Sequence, residues 1–364
     1  MHNKHNRNKA RYNYLYGFFF IVTFLLIISI RSYLKSSFPF SWNKNWIYSL
    51  KNRREFIFGK NEKCNLCQFS PSIVENGEFN TDLIITVVIG DVHGLPTMIR
   101  SLRTSKIYST CVILADSYAY KTIRSSLKKL FENCNINVIN IGDLTEQQKK
   151  GLYKTRWHLI SDFLKNSPTR FSRVIMTDAY DSFFQGNPFH YMKINTIMFS
   201  TETISIKSCP HNSEWIKAVF PNHYQKMMEN PIICSGPIMG SAEVIIKTLE
   251  LLFSIPEWNS FWISPPDQAF INYIVYTGLL DKHNIKYDIV PNNGFMTTVG
   301  YCDRKADLLY DNSGNIGCNH SKIAPSLIHQ YIRQRKMRDH VKKVCNDSGI
   351  MWSFKENPYS KSQF

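Results

Sequence analysis

From residue 81 the chain alternates short apolar runs with amphipathic stretches, and this alternation restricts the fold more than any single motif does. "LIITVVIGD" (83–91) reads as a buried strand, "LPTMIRSLRTS" (95–105) as a short helix and "CVILAD" (111–116) as a second strand. "KTIRSSLKKLFENC" (121–134) follows as an amphipathic helix and "INVINIGD" (136–143) as a third strand. "KTRWHLISDFLKNS" (154–167) is a third helix, and "RVIMTDAYDSFFQ" (173–185) is a fourth strand with its loop. Such alternation implies an α/β fold, a mostly parallel sheet with helices on both faces. Ligands of open sheets bind beyond the carboxyl ends of the strands. Asp91, Asp116, Asp143, Asp178 and Asp181 all fall at such ends.

A chain of 364 residues, 43% of them hydrophobic, has enough apolar mass for one large or two small domains. Its net charge of +16 raises the question of a nucleic-acid partner, which the distribution of charge answers. Lys and Arg outnumber acids 12 to 4 in residues 1–80 and 9 to 3 in residues 321–364, but only 23 to 21 in residues 81–320. The central domain is nearly neutral and carries no zinc-finger or RNA-binding signature. No nucleic-acid partner is expected.

Much of the basic excess flanks 19 uncharged residues, 12–30, close to the ~20 that cross a bilayer as a helix. Lys4, Arg7, Lys9 and Arg11 precede the run with no acid among them, which keeps the short tail in the cytosol. A cleaved signal peptide is the competing reading, but the small-residue cleavage pattern is missing and the run is longer than a usual apolar core. The expected layout is a cytosolic tail 1–11, a signal-anchor 12–30, a luminal stem 31–80, a catalytic domain 81–345 and a C-terminal tail 346–364. The lipid bilayer is then a partner through one helix, and the domain faces the lumen of the endoplasmic reticulum or Golgi. The acceptor sequons at Asn319 and Asn346 agree with that side. Nine cysteines fit an oxidising compartment, and their odd number leaves at least one unpaired or linking two chains as a dimer. Cys64 and Cys67 form "CNLC", which lacks the second ligand pair of a zinc site and the βαβ frame of a thioredoxin-like site. A luminal disulfide is the expected role.

"TVVIGDVHG" (86–94) resembles the first metal motif of calcineurin-like metallophosphoesterases. That chemistry needs two metals about 3.5–4 Å apart, held by ligands from several further loops. The nearest candidates, "GDLTEQQ" (142–148) and "CNHS" (318–321), lack the second Asp and Arg-Gly of one element and the Gly of the other. The motif is better read as a strand tip and turn, where Gly90 and Gly94 let backbone approach a ligand closely.

The strongest chemical signal is "VIMTDAYDSFFQGNPF" (174–189). Asp178 and Asp181 lie at the end of a buried strand, where two close carboxylates repel unless a cation lies between them. Oxygen ligands suit Mn²⁺ or Mg²⁺. An Asp pair capping a turn is the alternative. With "CSGPIMGS" (234–241), "PPDQAFINYIV" (265–275) and "PSLIHQYIR" (325–333), the stretch resembles the ordered motif series of GT-A fold glycosyltransferases, both glycogenin-like and galactosyltransferase-like, over residues 82–335.

The resemblance implies a Rossmann-like GT-A domain that transfers sugar from a nucleotide-diphosphate sugar, UDP-linked, to a glycan or glycoconjugate acceptor. It makes Asp178 and Asp181 the counterparts of a D-x-D metal motif, although the spacing here is D-x-x-D, and it makes His329 the third metal ligand. It puts Asp267 and Gln268 by the donor sugar as catalytic residues, and Ser235 and Gly236 along the acceptor side. The likeness of "PPDQAFINY" to the glycogenin-like set implies retention of configuration. Arg156 and Arg333 offer guanidinium forks for phosphate oxygens, and Asp91 and Asp116 contacts to the ribose or base. His329 as an interior histidine, and Asp267 as a first-turn helix acid after two prolines, remain the alternatives. Most other Lys and Arg, Lys128 and Lys129 among them, are expected on solvated helix faces. A metallophosphoesterase and a non-catalytic GT-A-like luminal binding protein are the rival functions.

Overall fold

The computed structural model of the protein describes residues 45–53, 55–72, 80–292, 294–300, 308–310, 313–318 and 324–346. The proposed signal-anchor 12–30, the tail 1–11, Asn319 and residues 347–364 lie outside them. No helix among the described residues is long and apolar enough to cross a membrane.

The strands are β1 (Asp82–Val88), β2 (Thr110–Asp116), β3 (Ile136–Gly142), β4 (Arg173–Met176), β5 (Ser182–Phe184), β6 (Ile197–Ser205), β7 (Pro231–Ser241) and β8 (Tyr287–Val290). Short strands follow as β9 (Met296–Thr298), β10 (Leu308–Tyr310), β11 (Ile316–Cys318) and β12 (Leu327–His329). The central sheet runs β3-β2-β1-β4-β7-β6-β8. Its β1–β2, β2–β3, β1–β4 and β6–β8 pairs are parallel, and β7 runs antiparallel to β4 and β6. The fold is therefore α/β with a mostly parallel sheet. Burial explains why strands in the first half carry continuous apolar runs. Ile84, Val88, Cys111, Ile113 and Ala115 pack with Leu95, Met98, Ile99 and Leu102 of the helix Leu95–Thr104. The intervening Leu83, Ile85, Val112 and Leu114 are fully buried as well, and the helix Leu152–Asn166 packs on β1.

Register is locked at the starts of the strands. Asp82 pairs with Arg173 across β1 and β4, and the buried Asp82 carboxylate receives a guanidinium fork, Nε to Oδ1 at 2.7 Å and Nη2 to Oδ2. Charge-assisted bidentate bonds of this kind carry geometry as well as energy. At the opposite strand ends the turn after β1 reverses through Gly90 and Gly94, at φ 73° and 75°. That is the strand tip and turn expected for "GDVHG", and both positions suit glycine.

Residues 45–72, read as stem from their composition, pack on the domain. The helix Asn45–Lys51 buries Trp46, Ile47 and Leu50. Cys64 and Cys67 do not bond to each other: Cys64 joins Cys134 and Cys67 joins Cys345. The two cysteines thus tie the segment to two distant points of the domain sequence, 70 and 278 residues away. Cys209 is disulfide-bonded too, whereas Cys111 and Cys234 are free and buried. Lys128 and Lys129 are exposed as expected, and Arg103 is an exception among the basic residues. Arg103 is buried and donates to the carbonyls of Cys134, Ile107, Ser109 and Asn135, serving as a cross-link between loops.

One buried histidine predicts an acid limit to stability. His158 stacks on Phe253 with ring centroids 3.8 Å apart and accepts a hydrogen bond from Trp258 Nε1 at 3.2 Å. Burial, aided by the charge of Lys165, pushes its imidazolium down to about 3. The unfolded chain then holds more protons between the ordinary value of 6.5 and about 3, so this stabilisation is complete above that window and is lost as pH falls through it. The unfolding free energy from urea titrations should drop across that window at up to about 1.4 kcal/mol per pH unit from this group. His158→Phe should flatten the dependence. An unchanged slope in that variant would refute the assignment.

Candidate metal centre

Three chain segments deliver the site. β4 carries Thr177 and Asp178 to the carboxyl edge of the sheet, and a turn through Ala179 and Tyr180 brings Asp181 back before β5. A hydroxyl pair, Thr177 Oγ1 and Ser182 Oγ at 2.6 Å, staples that turn. β12 pairs antiparallel with β5 in the register His329 to Ser182, which lands His329 beside Asp181. The Gln330 amide donates to the Asp181 carbonyl at 2.8 Å and closes the junction.

Among the described residues one group of His, Cys, Asp or Glu side chains converges as metal ligands would: Asp178, Asp181 and His329, with ligand atoms all within 4.8 Å of one another. His329 is buried, with 1% of its side chain exposed, and its Nε2 lies 3.1 Å from Asp178 Oδ2 and 3.4 Å from Asp181 Oδ1. One imidazole N–H cannot serve both oxygens well. Asp181 Oδ1 is in fact buried without a hydrogen-bond donor. A buried carboxylate oxygen in that condition costs free energy unless a cation or proton compensates it. The donor set, two carboxylates and one imidazole open at the sheet edge, suits a divalent ion such as Mn²⁺ or Mg²⁺.

The charge states fit the same description. Burial opposes ionisation of Asp178, but the guanidinium of Arg156 and the imidazole of His329 overcome it and hold the carboxyl well below the usual range. Burial likewise disfavours a charged His329, yet Cys234, Asp181 and Asp178 outweigh it and raise the imidazole well above its ordinary value. A proton on His329 and a divalent ion would compete for the same carboxylates, so that metal uptake would be coupled to proton release.

A second layer ties this cluster to the helix Asp267–Tyr276. Arg156, on the helix Leu152–Asn166, donates Nη1 to Asp178 Oδ1, and Nε and Nη2 to Asp267 Oδ2 at 3.1 and 2.6 Å. Its Nη2 also reaches the Ser235 carbonyl at 3.1 Å. Asp267 is 1% exposed and further accepts from Trp157 Nε1 and from Ser235 Oγ at 3.1 Å. Gln268 spends its amide on Glu202 Oε1 at 3.1 Å and Asn212 Oδ1 at 2.9 Å, turning its carbonyl towards the Ser235 amide at 3.5 Å. Asn272 clamps the same helix to β7 by bonding both the amide and the carbonyl of Ile233. Gly236 sits against His329: a Cβ there would lie 2.1 Å from the ring, so the close approach needs glycine.

The structure thus brings together Asp178, Asp181, His329, Arg156, Asp267, Gln268, Ser235 and Gly236. Arg333 follows four residues after His329, and its charge acts on Asp178. Arg156 is not held in reserve for phosphate, because its donors are engaged with Asp178, Asp267 and Ser235. Asp116 spends both carboxylate oxygens on backbone amides, Gly90 at 3.1 Å and Ala119 at 2.8 Å, and so caps a helix and fixes the β1 tip. Asp91 pairs with His93 at the partly exposed tip, outside the metal-ligand group. Tyr180, between the two acids of D-x-x-D, bonds Ile89 through its hydroxyl at 3.2 and 3.3 Å and joins that tip to the cluster. Sequence reasoning missed Tyr180 and Cys234, which both lay inside quoted motifs, and also Trp157, Glu202 and Asn212, for which no sequence signal existed. No protein-family model matches this chain, and no curated protein matches it.

Proposed function

We propose that the protein is a metal-dependent glycosyltransferase of the GT-A type, moving a sugar from a nucleotide-diphosphate sugar, UDP-linked, to a glycan or glycoconjugate. The observation that carries this reading is the meeting of Asp178, Asp181 and His329 at the carboxyl edge of a mostly parallel sheet, with one buried carboxylate oxygen lacking a donor. Asp178, Asp181 and His329 hold the ion. When bound, a divalent ion supplies charge to the diphosphate and offsets the leaving group.

The protein's own residues supply geometry. Arg156 fixes the separation of Asp178 from Asp267, which couples the metal side of the site to the sugar side. Asp267 and Gln268 then lie by the donor sugar, and Ser235 and Gly236 line the acceptor side. Arg333 provides positive potential for phosphate oxygens. Asp91 and the β1 tip border the nucleotide, with Asp116 shaping that tip from behind. The glycogenin-like character of "PPDQAFINY" supports retention. The disulfides Cys64–Cys134 and Cys67–Cys345 and the uncharged run 12–30 support a luminal domain on a single signal-anchor in the endoplasmic reticulum or Golgi.

A panel of nucleotide-sugars tested on the full chain in detergent, with and without Mn²⁺, addresses the reading directly. One donor should raise the melting temperature only when Mn²⁺ is present, by the equivalent of about 2.7 kcal/mol at a hundredfold excess over Kd. Labelled sugar should then pass from it to a glycan. Stabilisation without any turnover would favour the binding-protein alternative, and phosphate release from a generic ester would favour the phosphoesterase. Absence of a shift with every donor would end the proposal.

A further inference from the structure

We infer that Cys234 is a positioning residue for His329, its sulfur accepting from Nδ1–H so that Nε2 is the nitrogen offered to a divalent ion between Asp178 and Asp181. The inference rests on the metal-dependent reading of that cluster.

A histidine that ligates through Nε2 must carry its ring proton on Nδ1, and the partner of that N–H sets both the tautomer and the ring orientation. In this site Nδ1 faces Cys234 Sγ at 3.4 Å. The same sulfur receives the Gly236 amide at 3.4 Å. The sulfur therefore already accepts one backbone hydrogen bond. Cys234 is a free thiol and fully buried, and with His329 1% exposed bulk water does not compete for Nδ1. At ordinary metal-bound histidines this duty falls to a carboxylate or carbonyl oxygen.

The backbone of β7 completes the device. Cys234 and Gly236 project on the same side of an extended strand, and His329 lies against both. Gly236 admits the ring, since an added Cβ would fall 2.1 Å from Cε1 and 2.3 Å from Nε2. Cys234 then determines which nitrogen is protonated. One strand therefore sets the position of the ring through the missing Cβ and its proton through the thiol, while β12 supplies the ligand itself.

Two substitutions separate hydrogen bonding from packing. Cys234→Val removes the acceptor and keeps an apolar side chain at the cost of one extra methyl-sized group; Cys234→Ser keeps an acceptor at shorter reach. The measurement is Mn²⁺ affinity of the full chain in detergent, read from the electron paramagnetic resonance of free Mn²⁺ without any donor, beside a melting curve and with His329→Ala as reference. Cys234→Val should weaken Mn²⁺ binding by about 10–100-fold, the range for loss of a partner behind a metal-bound histidine, with Cys234→Ser retaining a clear part of the affinity. Wild-type affinity in Cys234→Val, or equal losses in both variants, would overturn the inference while a loss in His329→Ala upheld the metal site. If the unaltered chain binds no Mn²⁺, the metal reading falls and this inference falls with it.

Discussion

Asp178→Asn should slow sugar transfer by about 10²–10⁴-fold, equivalent to about 3–5 kcal/mol of barrier, and should remove the response of donor binding to Mn²⁺. The substitution is nearly isosteric, and the amide oxygen can still accept from Arg156 Nη1, so the framework of the site persists. Asp178 is also 29% exposed, which lets water serve whatever the amide leaves unmet. Measured without Mn²⁺, the melting temperature should therefore move little while activity collapses, the pattern of a residue held for chemistry rather than folding. His329→Ala should lose a comparable factor, because it removes the ligand that β12 brings in. His93→Ala supplies the contrast. Its imidazole pairs with Asp91 at a partly exposed strand tip, and its loss should cost far less. Initial rates of the three variants at saturating Mn²⁺ and their melting curves without it decide the matter. Full activity in Asp178→Asn with a dead His93→Ala would return the metallophosphoesterase reading to first place.

Much of this arrangement was legible before any coordinates because it depends on local periodicity. Apolar runs of strand length separated by amphipathic helices specify a mostly parallel sheet, and the acids at the ends of those runs mark its ligand edge. The members of the metal group could be chosen from motif order. What periodicity does not encode is who meets whom across long separations. Arg156 bonds Asp267, 111 residues away, and a guanidinium read as a phosphate ligand turns out to be the brace between two carboxylates. Cysteine spacing carries no connectivity, so "CNLC" gave no sign that its members bond Cys134 and Cys345. The helix Asn45–Lys51 is only 7 residues long, too short for an apolar stripe to stand out from its basic, aromatic surroundings. Lys154 marks the limit of reading charge as exposure. It is 1% exposed, donates to the Phe261 carbonyl and lies 4.3 Å from the Phe270 ring centroid, held by groups distant in sequence.

Asp267→Ala should instead be a folding mutation, with a loss of about 3–5 kcal/mol. Asp267 is the common acceptor for Arg156 Nε and Nη2, Trp157 Nε1 and Ser235 Oγ, and its removal strands all of them in a site where Trp157 and Ser235 are buried. Each unmet buried donor costs about 1–3 kcal/mol, partly relieved by local repacking. Arg156 keeps Asp178 as a counter-ion, which limits the loss but draws the guanidinium towards the metal ligands and away from the helix Asp267–Tyr276. Adding Arg156→Met to Asp267→Leu replaces the pair by apolar groups and should recover only part of the stability: the desolvation of both charges is no longer incurred, but Trp157 and Ser235 keep unmet donors and Asp178 loses its counter-ion. Activity should not return with it, because Asp178 has lost the brace that sets its distance from the sugar side of the site. Urea midpoints and transfer rates measured on the single and double variants test both halves together. Native stability in Asp267→Ala would show that its four hydrogen bonds are not part of the folding free energy, and recovered transfer in the double variant would show that the brace has no part in the chemistry.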